Sequence, residues 1–361
     1  MRIAVLGTGA LGCVFAARLA GQAEVWMLGT WAEGVAAVQR DGVRVHEMDG
    51  ATWQARVNAA VDPAQVPSAD VALLLVKSYQ TDRAAAWAAQ VLAPAGFAVT
   101  LQNGLDNGPR LAAAVGAARA AVGVTFEGAT LLGPGQVRHA GRGPIHIGAR
   151  PEVAGRVAAF VDLLRRAGFA AEVVSGGAAE ENVILSGSER RDPLHGQDSE
   201  ESPQHGRDSS LESRCGAPWA ADPLRVTAQQ TAIAKSAIDG ILWGKAVVNA
   251  AINPLTALWR VPNGELLASA DRRALLAALA KEAAAVAVAR GVVLPYPDPV
   301  ARVEEVCRAT AANHSSMLQD VERGRPTEID SINGVIVAEG RRLGAPTPVN
   351  ETVWRLVRGS G

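Results

Sequence analysis

Apolar positions in the first half of the chain come in short runs separated by helical stretches. Arg2 to Leu6 (RIAVL) predicts a buried strand, and Glu24 to Leu28 predicts a second. The unbroken run VALLLV, Val71 to Val76, is what a strand shows when both faces of its sheet are covered. Helical patterns at Cys13 to Leu19 and Thr81 to Leu92 lie between such runs. Further strands are predicted at Phe97 to Leu101, Ala121 to Phe126, Ile145 to Ile147 and Glu172 to Val174. Strands alternating with helices predict a parallel, doubly wound sheet. From Thr227 the pattern is helical: Thr227 to Ile252, Gly264 to Leu267 leading into Arg272 to Arg290, Val300 to Ala312, Glu328 to Arg342, and Asn350 to Val357.

Between the halves the composition shifts. Ser186 to Arg214 holds Leu as its only large apolar residue type and cannot bury enough surface to offset its ordering entropy. It is expected to be a disordered insertion, serving either as a tolerated surface loop or as a gate. Its histidines, His195 and His205, lack ligand spacing and read as solvated groups, so no metal site is expected. The expected division is residues 1–175, an insertion or linker at 176–226, and residues 227–361.

A chain of 361 residues suits two domains. Thirty-five Lys and Arg against 36 Asp and Glu leave a net charge of −1, which argues against nucleic-acid or membrane-surface partners. Three widely spaced cysteines, Cys13, Cys215 and Cys307, form no disulfide framework, and no apolar run is long enough to span a bilayer. No signal-peptide pattern precedes the first strand, so a cytoplasmic protein is expected. Only four cations are Lys (Lys77, Lys235, Lys245 and Lys281), so each is a candidate for chemistry that Arg cannot do, namely giving up a proton.

GTGALG follows the first strand and opens an apolar helix. Gly7 permits the tight turn, Gly9 lets a pyrophosphate approach the backbone, and Gly12 lets helix and strand pack closely. Gly7, Thr8, Gly9, Ala10, Leu11 and Gly12 are therefore expected to hold a dinucleotide. The predicted fold is an N-terminal α/β Rossmann-type dinucleotide-binding domain followed by an all-α C-terminal domain. An acid at the end of the second strand would favour NAD and an Arg would favour NADP, but Gly29, Thr30 and Trp31 stand there. Trp31 reads equally as an adenine-stacking residue and as a surface aromatic.

Lys245, Asn249 and Asn253 recur every four residues in ILWGKAVVNAAINPLTALW, so they share one stripe of a helix. Polar groups on so apolar a helix need partners or a ligand. Pro254 is expected to end or kink that helix. In NHSSMLQDVERGRPTEIDSING, Ser315 and Ser316 offer hydroxyls, and Thr327 with Asp330 fits a capping box. Glu328 then reads either as a first-turn acid or as a functional one. Lys77 and Asn103 follow predicted strands, on the side where open α/β sheets bind ligands.

These strings, with LLLVKSYQT, TLQNGLDN and VPNGEL, resemble the ketopantoate reductase (2-dehydropantoate 2-reductase) family over nearly the whole chain outside the insertion. The resemblance implies NADPH-dependent reduction of 2-dehydropantoate to pantoate in pantothenate synthesis. It makes Lys245 the general acid, with Glu328 binding substrate and helping to set the lysine. Asn249, Asn253, Asn263 and Ser316 would bind substrate. Asn103 would lie near nicotinamide and substrate, Lys77 on the cofactor or substrate side, and Thr30 where the family carries an Arg for the 2′-phosphate. The resemblance also allows a homodimer through the helical part. The competing readings are a reductase of another branched 2-oxo acid and a non-catalytic dinucleotide sensor.

Overall fold

The computed structural model describes residues 1–174 and 237–360. The expected insertion, with Ser186 to Arg214, Cys215 and Lys235, lies outside the described residues, as does the start of the helix expected from Thr227. The order is β1 (Arg2–Leu6), α1 (Ala10–Leu19), β2 (Glu24–Leu28), α2 (Ala32–Asp41), β3 (Val43–His46), β4 (Thr52–Ala55), β5 (Asn58–Ala60), β6 (Ala69–Leu74), α3 (Thr81–Val91), β7 (Leu92–Thr100), α4 (Asn107–Val115), β8 (Ala120–Thr125), β9 (Gly128–Gly133), β10 (Gln136–Gly141), β11 (Ile145–Gly148), α5 (Ala154–Arg166) and β12 (Ala171–Val174). Helices alone follow: α6 (Ala237–Trp259), α7 (Ala270–Ala289), α8 (Pro299–Ala309), α9 (Ser316–Glu322), α10 (Val335–Leu343) and α11 (Pro348–Gly359), with short turns at Asn263–Leu267 and Asp330–Gly334.

The main sheet has the order β12-β11-β8-β7-β6-β1-β2-β5. From β5 to β8 every neighbouring pair is parallel; β11 runs antiparallel to β8, and β12 parallel to β11. Apolar residues of β1 and β6 point to both faces: Ile3, Val5, Val71 and Leu73 join the core shared with α1 and α5, while Ala4, Leu6, Ala72 and Leu74 join the core under α3 and α4. This is the physical content of the run VALLLV.

A second sheet, β4-β3-β10-β9, packs on α1 and was not expected. Its signal was available. Val43 and Val45 alternate with Arg44 and His46, and Asp49-Gly50, with Gly50 at φ +88°, turns the chain into β4.

In the helical part, α6 does not end at Pro254 but continues to Trp259. A proline here leaves the Ala250 carbonyl without its usual helical donor. The buried Asn333 replaces it, its Nδ2 donating to the Ala250 carbonyl at 3.0 Å and to Asn350 Oδ1 at 3.0 Å. Asn350 Nδ2 in turn donates to the Leu279 carbonyl and to Glu282, whose carboxylate also takes the Val349 and Asn350 N–H groups. One polar chain thus ties α6, α7 and α11 together. The capping box expected from Thr327 and Asp330 does not form. Asp330 instead accepts from Trp354 Nε1 at 2.7 Å, and α10 is entered through the π-type turn Asp330–Gly334 without a side-chain cap.

Candidate active site

Strands β1, β6, β7 and β8 are neighbours running in one direction, so their C-terminal ends form a single edge. At the end of β1, Gly7 has φ +131°, a conformation L side chains rarely adopt, and its N–H donates to the Leu28 carbonyl at 2.9 Å. A Cβ on Gly12 would run into the Gly7 carbonyl, whereas nothing lies within 4 Å of the place a Cβ on Gly9 would occupy. Helix α1 starts without a side-chain cap and without an acid in its first turn. The N–H groups of Ala10 and Leu11 therefore have no intrahelical partner. Open room above Gly9, free amides and the positive end of α1 fit a dinucleotide pyrophosphate. Thr8 is buried under Gly29, Thr30 is exposed just beyond β2, and Trp31 lays its indole on Gly34 of its own helix.

At the end of β6, Lys77 Nζ meets Asp320 Oδ2 at 2.6 Å and Glu328 Oε2 at 3.4 Å. The Ser78 N–H donates to Glu328 Oε1 at 2.9 Å. Asp320 and Glu328 both belong to the helical part, so this cluster joins it to the α/β part. Burial works against the charge on Lys77, but Glu328 and Asp320 outweigh it and hold the ammonium above the usual lysine range. Burial pushes the Asp320 carboxyl up more than Lys77 draws it down.

Beyond β7, Asn103 is fixed through its backbone, its carbonyl accepting from Asn107 Nδ2 at 2.6 Å. Asn107 Oδ1 takes the Thr81 hydroxyl at 2.7 Å, and Gln102 Nε2 bonds both Thr81 and the Val76 carbonyl at 2.9 Å. This buried network anchors the loop that carries Asn103 at the end of β7.

From the other side comes α6. Lys245 Nζ donates to the Thr125 carbonyl at the end of β8 at 2.6 Å and lies 5.3 Å from the centre of the Phe126 ring. Burial pulls Lys245 down to about 8, with the Glu328 carboxylate opposing the fall. Glu328 acts on Lys245 through its field, and its direct partners are Lys77 and Ser78. The side-chain amides of Asn249 and Asn253, one and two turns further on, have no hydrogen-bond partner among the described residues. The Thr256 hydroxyl links the Asn253 carbonyl to Ser315 Oγ at 2.7 Å, which brings the start of α9, with Ser316, beside that turn of α6. Asn263 is buried in its own short turn. Its Nδ2 donates to Thr310 Oγ1 at 2.8 Å, and its buried Oδ1 has no partner.

The structure thus gathers Lys77, Asn103, Lys245 and Glu328 around the strand ends, with Asn249, Asn253 and Ser316 on the elements leading away from them. Sequence reasoning missed Asp320, Thr125, Phe126 and Gln102. Asp320 carried a usable signal, since it lies four residues after Ser316 and so on the same face of α9. Phe126 and Thr125 carried none, because their role depends on where α6 docks.

Among the described residues no group of three or more His, Cys, Asp or Glu could hold a metal ion, and no helix is long and apolar enough to cross a membrane. The ketopantoate reductase PanE/ApbA family model matches residues 3–152, and the ketopantoate reductase PanE/ApbA C-terminal model matches residues 237–360. A 2-dehydropantoate 2-reductase of Halobacterium salinarum is 33% identical over 99% of this chain and 98% of the relative. One of Archaeoglobus fulgidus is 31% identical over 99% of this chain and 97% of the relative. The crystal structure of a PanE/ApbA family ketopantoate reductase from Ralstonia eutropha superposes with a TM-score of 0.75 at 28% identity, covering 100% of this chain and 98% of that one. With both family models matched and relatives aligned over nearly the whole chain, the chain belongs to the ketopantoate reductase family.

Proposed function

We propose that this chain reduces 2-dehydropantoate to pantoate with NADPH. The observation that carries the reading is the meeting of Lys245 and Glu328, from the helical part, with the ends of parallel strands that also bear the glycine turn. When bound, the nicotinamide supplies hydride to the ketone carbon. Gly7, Thr8, Gly9, Ala10, Leu11 and Gly12 would hold its pyrophosphate, with Thr30 beside the adenosine ribose and Lys77 and Asn103 toward the nicotinamide end.

The remaining work falls to side chains. Negative charge develops on the ketone oxygen, and Lys245 Nζ stabilises it and delivers a proton there. A lysine drawn down to about 8 is still charged at neutral pH yet gives up its proton far more readily than an ordinary one. The Glu328 carboxylate, pinned by Ser78 and Lys77, keeps the ammonium from losing its charge too early. Asn249 and Asn253 offer unused amides to the substrate hydroxyl and carbonyl, and Ser316 offers its hydroxyl to the carboxylate. Asn263, with its unpartnered Oδ1, lines the outer end in this reading. A homodimer and a cytoplasmic location go with it, the former checked by light scattering.

The test follows NADPH absorbance as 2-dehydropantoate is added, in parallel with other branched 2-oxo acids. Fast loss with 2-dehydropantoate and slow loss with the rest is expected. Preference for another 2-oxo acid would change the substrate, and no turnover with any would leave a dinucleotide sensor. Lys245→Ala is expected to lower kcat by roughly 10²–10⁴. Near wild-type turnover in that variant would reject Lys245 as the acid.

A further inference from the structure

We propose that Phe126 is a positioning residue for Lys245, its ring face and the adjoining Thr125 carbonyl together holding the ammonium at the end of β8. The proposal rests on the assignment of Lys245 as the proton donor and adds what aims it.

Two consecutive residues make the two contacts. The Thr125 carbonyl takes one N–H of the ammonium at 2.6 Å, and the Phe126 ring lies 5.3 Å away. A ring face attracts positive charge without consuming a hydrogen-bond donor. An ammonium has three N–H groups, so this arrangement fixes the group and leaves donors for the substrate oxygen.

The ring is itself held firmly. Its backbone N–H donates to the Pro144 carbonyl at 2.9 Å. Gly143 packs so closely that a Cβ there would lie 2.6 Å from Phe126 Cβ. His146 meets the ring edge-on, at 6.1 Å between centres and 83° between planes, and His146 Nδ1 is bonded to Glu172 at 2.7 Å. The backbone and Cβ of Phe126 are thus fixed at Pro144 and Gly143, and His146 backs the ring itself.

Other ionisable groups surround Lys245. Glu328 acts on it through its field, with Lys77 and Asp320 beyond that carboxylate. The Tyr296 hydroxyl bonds the carbonyl of neighbouring Gly244, and Glu127, one residue past the ring, is paired with His139. None of these changes when the ring alone is altered, which dictates the experiment.

Phenylalanines bearing one, two and three fluorines are placed at position 126. Fluorine drains the ring face of negative potential and barely changes its shape. The chain has four lysines, so carbon-13 at the lysine ε position gives a spectrum in which the Lys245 titration is read directly. The Lys245 midpoint, near 8 in the natural protein, should fall stepwise with fluorine number, by about half a unit or more in total. The high-pH limb of kcat should move down with it. Phe126→Leu should lower kcat by about tenfold with KM little changed, and Phe126→Tyr should restore it. A Lys245 titration and a kcat profile that ignore fluorine number would overturn the proposal, as would a folded Phe126→Leu with full kcat. A fully active Lys245→Ala would instead sink the proton-donor assignment on which the proposal stands.

Discussion

Lys245, the proposed proton donor, shows what burying an amine costs the fold that carries it. Its ammonium is taken from water onto a carbonyl and a ring face, and its proton affinity falls to about 8. The unfolded chain binds that proton up to about pH 10.4. Below pH 8 the amine is charged in both states, and the burial penalty, about 1–3 kcal/mol, is fully present. As pH rises from 8 to about 10.4, the folded state has already shed the proton, and stability increases through that window. Lys245→Met is therefore expected to abolish proton delivery yet raise urea stability at pH 7 by about 1–3 kcal/mol, with its advantage over the natural protein shrinking above pH 8. Parallel urea titrations at pH 7 and pH 10 check this. Gly12 is the opposite kind of residue, chosen for what it lacks. Gly12→Ala drives a Cβ into the Gly7 carbonyl and should cost about 2–3 kcal/mol and most of the NADPH affinity, read by denaturation and by fluorescence titration. Thr30 stands exposed beyond β2, where neither an acid nor an Arg follows and where the proposed reading puts the adenosine ribose. Thr30→Arg should raise the NADPH-to-NADH ratio of kcat/KM by about tenfold or more, and an unchanged ratio would place the 2′-phosphate elsewhere.

At the scale of the element, α6 carries Lys245, Asn249 and Asn253, the residues of the proposed chemistry, and it continues past Pro254. Helix rules stop at a proline because a carbonyl loses its donor and a ring crowds the turn. Here Asn333, brought from 83 residues away in sequence, supplies the donor. Asn249 and Asn253 lie one and two turns beyond Lys245 on this continuous helix. Asn333→Ala removes partners from the Ala250 carbonyl and from Asn350 together. It should cost about 2–3 kcal/mol and lower kcat/KM for 2-dehydropantoate by more than it weakens NADPH binding. Thermal denaturation and steady-state kinetics on one preparation separate the two effects. The α9 segment follows the same logic, since Ser315 caps it while bonding Thr256 of α6, so Ser316 and Asp320 inherit their place from that contact.

Across the whole molecule, the α/β part and the helical part meet through Lys77, Asp320 and Glu328. Two buried carboxylates share one partly exposed ammonium. Lys77→Met would leave both without a cation, at a cost of about 2–4 kcal/mol near neutral pH, the lower end applying because water reaches the lysine. Removing the cation lifts the carboxyl proton affinities, so the variant should recover relative to the natural protein as pH falls toward 5. Urea midpoints at pH 7 and pH 5 test the sign, and a gap that widened in acid would show that the cluster does not hold the parts together.

The amino-acid sequence by itself determined the architecture and the glycine turn. Both follow from local patterns: a period of two or an unbroken apolar run for strands, a period near 3.6 for helices, and glycines where no side chain fits. It also marked Lys245, Asn249 and Asn253 as one stripe, because helical geometry alone puts them there. The second sheet was legible in part, in the alternating valines of β3 and an Asp-Gly turn, but β9 and β10, each six residues, carry only Leu131, Leu132 and Val137 as large apolar residues and show no buried run. Tertiary structure alone decided what those side chains face. That Glu328 pairs with Lys77 rather than Lys245, that Phe126 lies under the ammonium, and that Asn333 rescues the carbonyl freed by Pro254 are consequences of docking. Each joins segments dozens to hundreds of residues apart, and no local period encodes the distance between them.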